Sequence, residues 1–326
     1  MISETDILKT FQHLVKRSDA DESIIIGSGD DAAVINIKDK CLVHSVDISK
    51  INSHFPRNFL PNDIAYRSIA IALSDLAAMG AYPSFITIGL TCDEKKIEWY
   101  ERFSKGVEES MNEFNFSLVG GDITYGELSV CVNVFGYLFD KPLLRSGAKP
   151  GDKIFITGQL GHGQKGLEDF KRKNDSISLE KFKKPTPQFK KSKHISSFAS
   201  SCVDISDGLI KDLTSICSMS QVGAKIIYED IPKLRGIDDL SYGDDFELCF
   251  TTSDKNIKQL NKDDYFCIGE ITSDKEITLL NANNEVKLEK EIIQMIEASL
   301  PDSLNLNIRP NVKNPKIDSN DSVDEG

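Results

Sequence analysis

Short apolar runs with strand character alternate with segments of helical periodicity along most of this chain, and that alternation restricts it to α/β or α+β architectures. Cys41 to Asp47 reads as a strand ending on a carboxylate. Asp63 to Met79 then carries Tyr66, Ile69, Leu73 and Leu76 at helical spacing, with Gly80 as a stop. Ile86 to Cys92 is strand-like, Trp99, Phe103, Val107 and Phe114 mark a second amphipathic helix, and Ser129 to Leu138 alternates as a half-buried strand does. The turn-rich stretch from Arg145 to Asp152 follows, and a new strand begins at Lys153. This punctuation predicts an N-terminal domain over 1–144 and a C-terminal α/β domain over 145–300, with further strands at 201–204, 225–228, 247–252 and 265–270. The stretch 301–326, poor in apolar residues and rich in Asn, Asp and Pro, reads as a disordered tail.

Charge narrows the function. The 326 residues carry 51 acidic and 39 basic side chains, a formal charge of -12, which repels phosphate backbones and argues against nucleic acid as a partner. No apolar run reaches the length of a membrane span, and the acidic N-terminus lacks a signal-peptide pattern, so a cytoplasmic protein with no membrane partner is expected. The seven cysteines form no CxxC and read as reduced core thiols.

The chemically informative feature is a set of carboxylates beside glycines or at the ends of apolar runs: Asp30 and Asp31, Asp47, Asp75, Asp122, Asp204 and Asp207, and Asp244 and Asp245. Any one Gly-Asp pair is ordinary turn chemistry. Six such sites together imply convergence, and converging carboxylates repel unless hard cations lie between them. Asp75 sharpens the case, because it sits inside a helix on a stripe of small residues with Ser68 and Ala72. Mg2+ suits such a site, since it takes one or two carboxylates and completes its shell with water and substrate phosphates. Competing motifs fail on context. Gly161, Gly163 and Gly166 match GxGxxG, but no second strand with a ribose-binding acid follows; there is no GxxxxGK[ST], and Asp245-Phe246-Glu247 lacks a preceding kinase catalytic loop.

At these residues the chain resembles the thiamine-monophosphate kinases, within the superfamily that also holds aminoimidazole ribonucleotide synthetase and selenophosphate synthetase. The resemblance rests on Gly29 to Ala33 (GDDAA), Leu73 to Ala81 (LSDLAAMGA), Gly120 to Thr124 (GGDIT), Arg145 to Asp152 (RSGAKPGD), Asp204 to Leu209 (DISDGL) and Tyr242 to Phe250 (YGDDFELCF), in the family's order. It implies a two-domain fold of mixed sheets flanked by helices, N-terminal domains paired in a homodimer, and an active site in the interdomain cleft. It also implies ATP-dependent, Mg2+-assisted phosphorylation of thiamine monophosphate to thiamine diphosphate, the last step of that cofactor's biosynthesis. By matching position, Asp30, Ser45, Asp47, Asp75, Asp122, Asp204 and Asp207 would hold several Mg2+ ions. Gly121, Asp122, Arg145 and Ser206 would contact ATP, and His54 and Asp244 the thiamine phosphate. Metals and an arginine fork relieve repulsion between donor and acceptor phosphates, so direct transfer without a protein nucleophile is expected.

The chain departs from the family at several positions: Asp244 stands where Glu is usual, Tyr242 where Gly is usual, Ala72 where Asn is usual, and no aromatic residue follows Phe266. A sister ATP-dependent activity and a non-catalytic nucleotide- or metal-binding protein remain the alternatives. The absence of any Cys before Cys41 argues against selenophosphate synthesis.

Overall fold

The computed structural model describes residues 23–281 except 28 and 39, together with the backbone of a strand at 305–310. Two mixed sheets and the helices on them make up the fold. The first holds β1 (Ile24–Ile26), β2 (Ala33–Ile37), β3 (Lys40–Lys50), β4 (Ala81–Thr91), β5 (Ser117–Thr124) and β6 (Ser129–Leu138), in the order β1-β2-β3-β6-β4-β5. All its pairings are antiparallel except β4 with β5. The alternation read in β6 is real: Val130, Val132 and Val134 are fully buried on one face, while Cys131, Asn133 and Phe135 face the other way. The Gly120-Gly121-Asp122 segment lies inside β5, an edge strand whose eight residues are all exposed.

Among the described residues, two helices cover this sheet: α1 (Pro61–Ala78) and α2 (Ile97–Phe114). α2 is amphipathic and ends on Asn115 in the left-handed conformation. α1 is different, for it is buried on nearly all sides. A helix with that pattern needs packed neighbours all round, and α1 has them: β3, β4 and β6 of the first sheet, α2, and elements of the second half of the chain.

The second sheet holds β7 (Lys153–Ile156), β8 (Ser201–Asp204), β9 (Gly223–Ile227), β10 (Leu248–Thr252), β11 (Phe266–Thr272), β12 (Glu276–Asn281) and β13 (Asn305–Pro310), in the order β13-β12-β9-β11-β7-β10-β8. Around it are α3 (His162–Arg172), α4 (Ile177–Lys183), α5 (Phe189–Ile195) and α6 (Leu209–Ser220). The lysine-rich stretch 171–193 thus forms the end of α3 and the two short helices after it. β13 corrects the expectation for 301–326: Leu306 and Ile308 alternate with polar residues, and the segment adds to β12 in parallel. The rest of that stretch lies outside the described residues.

β8 is the edge strand nearest the first half of the chain. Beyond its pairing with β10, the Cys202 N–H donates to the Leu144 carbonyl at 2.8 Å. The connecting segment at Leu144 and Arg145 therefore lies along β8, and Asp204 at the end of that strand is carried to the seam between the sheets. All seven cysteines are free. No helix of the described residues is long and apolar enough to cross a membrane.

Candidate active site

The seam is organised by one face of α1. Arg67, Ser74 and Asp75 lie seven and eight residues apart, two helical turns, so they share a side of the helix. Asp75 and Arg67 are separated by about 12 Å along the axis, from a rise of about 1.5 Å per residue. Each marks a distinct part of the seam.

At the Asp75 end three chain segments converge. Carboxylate oxygens of Asp31 (the turn before β2), Asp75 (α1) and Asp204 (the end of β8) all lie within 4.8 Å of one another. Ser45 Oγ on β3 donates to Asp75 at 2.5 Å, and Ser74 Oγ donates to Asp204 at 2.7 Å. Arg145 closes one side. Its guanidinium donates to Asp31 at 2.6 Å, while its backbone N–H donates to Asp30, also at 2.6 Å. A single arginine does not balance this much negative charge. Burial, reinforced by Asp204, Asp47 and Asp31, pushes the Asp75 carboxyl well above its ordinary range. Burial and Asp31 push Asp204 up to about 7 against the pull of Ser74 and Arg145. Asp31 and Asp47 are raised by burial too, with Arg145 and His54 respectively opposing.

The donor set fits a hard divalent cation. It is all oxygen, and opposite ligands of a Mg2+ ion stand about 4.1 Å apart, close to the spacing available here. Asp31, Asp75 and Asp204 form the cluster, Asp30 and Ser45 touch it through Arg145 and Asp75, and Asp47 stands close enough to raise two of its members.

Two residues read as ligands lie elsewhere. Asp207 is exposed and pairs with Lys211 one turn along α6 at 2.6 Å. Its place at the helix start is taken by Asp212, which accepts the backbone N–H groups of Ser206 and Asp207 at 3.1 Å each. Asp122 is exposed on β5, opposite Gly89. With Gly121 it lines a groove of about 810 Å3 between β5 and α2, walled by Phe103, Val107 and Leu118. Ser206, two residues beyond Asp204, donates its N–H to Asp212 and accepts the Asp244 N–H.

At the other end Arg67 is paired with a carboxylate. Arg67 is 2% exposed and is clamped by Asp244, whose oxygens accept at 2.5 and 2.6 Å. The remaining donors go to the His54 carbonyl at 3.0 Å and the Phe182 carbonyl at 2.5 Å, and the guanidinium lies 4.2 Å from the Phe182 ring centre. This ion pair forms the floor of a cavity of about 470 Å3, with His54, Arg57, Lys171 and Tyr242 on its walls. His54 Nδ1 accepts the Lys50 N–H at 3.0 Å, which assigns the ring proton of the neutral imidazole to Nε2. Asp244 sits in left-handed backbone, and its N–H donates to the Ser206 carbonyl at 2.8 Å, so the 242–246 turn and the 204–209 turn lock together.

The sequence pattern marks Asp31 as one of the carboxylates without assigning it a ligand role, and it does not mark Arg67. The available signal was an arginine in the middle of an otherwise apolar helix, where an unpaired charge would be too costly to bury. The GxGxxG segment has a packing role instead. A Cβ on Gly163 would meet the Asp244 backbone at 2.5 Å, and one on Gly166 would meet the Ser178 carbonyl at 2.3 Å. The strand before it, β7, lies between two antiparallel partners, so no βαβ unit exists to present a dinucleotide. His162 is buried against Ser178, and burial holds its pKa down to about 4.

The first half of the chain falls in a recognisable class: residues 29–138 match the family model described as AIR synthase related protein, N-terminal domain. The thiamine-monophosphate kinase of Buchnera aphidicola subsp. Schizaphis graminum is 38% identical over 311 residues, which span 87% of this chain and 95% of that one. The chain belongs to the thiamine-monophosphate kinase family. Among solved structures, AaThiL complexed with AMPPCP and TMP superposes with a TM-score of 0.75 at 25% identity, over 85% of this chain and 93% of that one. The thiamine-monophosphate kinase of Stenotrophomonas maltophilia K279a gives a TM-score of 0.68 at 30% identity, over 82% and 94%.

Proposed function

We infer that this chain is a thiamine-phosphate kinase, transferring the γ-phosphoryl group of ATP to thiamine monophosphate to give thiamine diphosphate and ADP. The observation that carries the reading is the convergence of Asp31, Asp75 and Asp204 beside Arg145, about two helical turns from the Arg67–Asp244 cavity. The relatives are named for this kinase activity, and one similar structure is a complex with AMPPCP and TMP.

Asp30, Asp31, Ser45, Asp47, Asp75 and Asp204 would hold Mg2+, which when bound supplies charge neutralisation between donor and acceptor phosphates. The chain's own groups do the rest. Arg145, whose guanidinium lies on Asp31, is positioned to fork onto ATP phosphate oxygens. Ser206 is assigned to ATP as well, and so are Gly121 and Asp122 from the exposed β5. His54, with its proton on Nε2, can donate to an acceptor phosphate oxygen, and the buried Arg67–Asp244 pair fixes the cavity against which the acceptor lies. No protein nucleophile is required, so transfer is direct and in line; inversion at a chiral γ-phosphorus is the expected stereochemistry, and retention would refute it. The halves 1–144 and 145–300 act as the two sides of the cleft in a cytoplasmic protein. Two copies pair through the first sheet, whose edge β5 leaves Leu118, Val119 and Ile123 exposed, with Val46 and Ile48 exposed on β3. A monomer in equilibrium sedimentation would remove the pairing.

The deciding assay incubates the protein with ATP, Mg2+ and thiamine monophosphate and looks for thiamine diphosphate and ADP in equal amounts. EDTA-sensitive ATP binding without product would favour a binding protein.

A further inference from the structure

We propose that Tyr242 is the residue that holds the heteroaromatic part of the phosphate acceptor, its ring face stacked against the positively charged heterocycle. This rests on the kinase reading above and adds a specificity-determining contact to it.

Of the three phenylalanine and tyrosine rings that line the 470 Å3 cavity among the described residues, two are committed to packing. Phe55 is 2% exposed and belongs to the core of the first sheet. Phe182 is 3% exposed, with Arg67 against its face and Phe59 edge-on at 5.5 Å. Tyr242 is 47% exposed, and among the described residues no ring or cation is stacked on it. A large aromatic side chain half open to a cavity is an available π face.

Its backbone is held firmly. The Tyr242 N–H donates to the Asp238 carbonyl at 3.2 Å, and the next residue, Gly243, has φ +65° and lies so close to the 204–209 turn that a Cβ would meet the Ser206 carbonyl at 2.2 Å. Asp244, one residue further on, is clamped by Arg67. A ring carried by so constrained a turn loses little freedom on binding.

Charge decides what the ring is for. The other wall groups include Arg57 and Lys171, and the one carboxylate among the described residues, Asp244, is already neutralised by Arg67. Among the described residues a positively charged heterocycle entering this space meets no free carboxylate, and the negative face of an aromatic ring is a group that can hold it. The roughly 12 Å along α1 between the cavity floor and Asp75 leaves the acceptor's phosphate end to reach toward the aspartates while its rings stay in the cavity.

The test is steady-state kinetics of Tyr242→Ala and Tyr242→Phe at saturating ATP. Tyr242→Ala is expected to raise KM for thiamine monophosphate about tenfold, with kcat and KM for ATP within about twofold, and Tyr242→Phe to restore wild-type KM. An acceptor phosphate whose thiazolium nitrogen is replaced by carbon, leaving a neutral ring, should bind the wild type less tightly than the cation, and Tyr242→Ala should no longer distinguish the two. Unchanged KM in Tyr242→Ala, or a parallel rise in KM for ATP, overturns the proposal. A wild-type protein that makes no thiamine diphosphate removes the acceptor assignment itself, a failure distinct from an active enzyme indifferent to Tyr242.

Discussion

The two ends of the inward face of α1 handle charge in opposite ways. The charge of Arg67 is answered within the protein, by Asp244, two backbone carbonyls and an aromatic ring. Around Asp75 three carboxylates crowd within 4.8 Å of one another, against one arginine and two serine hydroxyls. The first arrangement is complete as it stands and so acts as scaffold. The second has an excess of negative charge that only a bound cation or bound protons can relieve, which is the signature of a site built to accept something.

The contrast is tested most severely by removing one charge at each end. Asp75→Asn should lower kcat/KM at least about a thousandfold, as losing a group that organises transition-state charge does. It should leave the cation-free protein as stable or more stable, because a repelling carboxylate is gone. Turnover near wild type would end the role assigned to the cluster. Arg67→Met works in the other direction. It leaves Asp244 without its partner and should cost about 3–5 kcal/mol of unfolding free energy in denaturant titration. Arg67→Met combined with Asp244→Asn should recover much of that loss, and strict additivity of the two substitutions would show that the pair is not the scaffold.

Proton and metal linkage gives a finer test. Asp75, Asp31 and Asp204 all have folded-state pKa values above those of the unfolded chain, Asp204 reaching about 7. Between about pH 4 and pH 7 the native state therefore binds more protons than the unfolded one, so the stability contributed by these groups is lost as pH rises through that window. A cation that competes with those protons must show the opposite trend. Calorimetric melting with EDTA or with excess Mg2+ should give a small metal-induced increment near pH 5 and a larger one near pH 8, about 2–3 kcal/mol at a hundredfold excess over Kd. An increment independent of pH would place the metal away from this cluster.

The elements were readable in the sequence because their signals are local. Val130, Val132 and Val134 announce β6, and the Tyr66 to Met79 stripe announces α1. Most of the aspartates at the seam were readable too, since a carboxylate beside a glycine or at the end of an apolar run stands out against its surroundings. What was not legible is pairing across the chain. Arg67 meets Asp244 over 177 positions, and nothing near either residue specifies the other. Asp31 and Asp30 are adjacent acids, and only the path of the Leu144–Arg145 segment along β8 decides that Asp31 receives the guanidinium and Asp30 the backbone N–H. The 305–310 strand was missed because a short alternation of Leu306 and Ile308 among asparagines looks like a polar tail until the edge of a sheet is there to receive it.

The smallest expected effect lies at the Asp75 end, where the helix meets the second sheet. Ser74 is fully buried on α1, and its hydroxyl donates to Asp204 on β8, so one hydrogen bond ties the helix of the first sheet to the edge of the second. Ser74→Ala removes a donor to a carboxylate, worth about 1.5–3 kcal/mol when the carboxylate is ionised and less when it is protonated. Because Asp204 titrates near 7, the stability cost in the cation-free protein should grow from about pH 5 to about pH 8 rather than stay constant. Activity should fall only about tenfold, the scale of losing a group that orients a ligand rather than the ligand itself. A loss as large as that of Asp75→Asn would mean that the serine belongs to the reacting centre, and the division between a completed scaffold and a charge-deficient site would have to be redrawn one helical position further along α1.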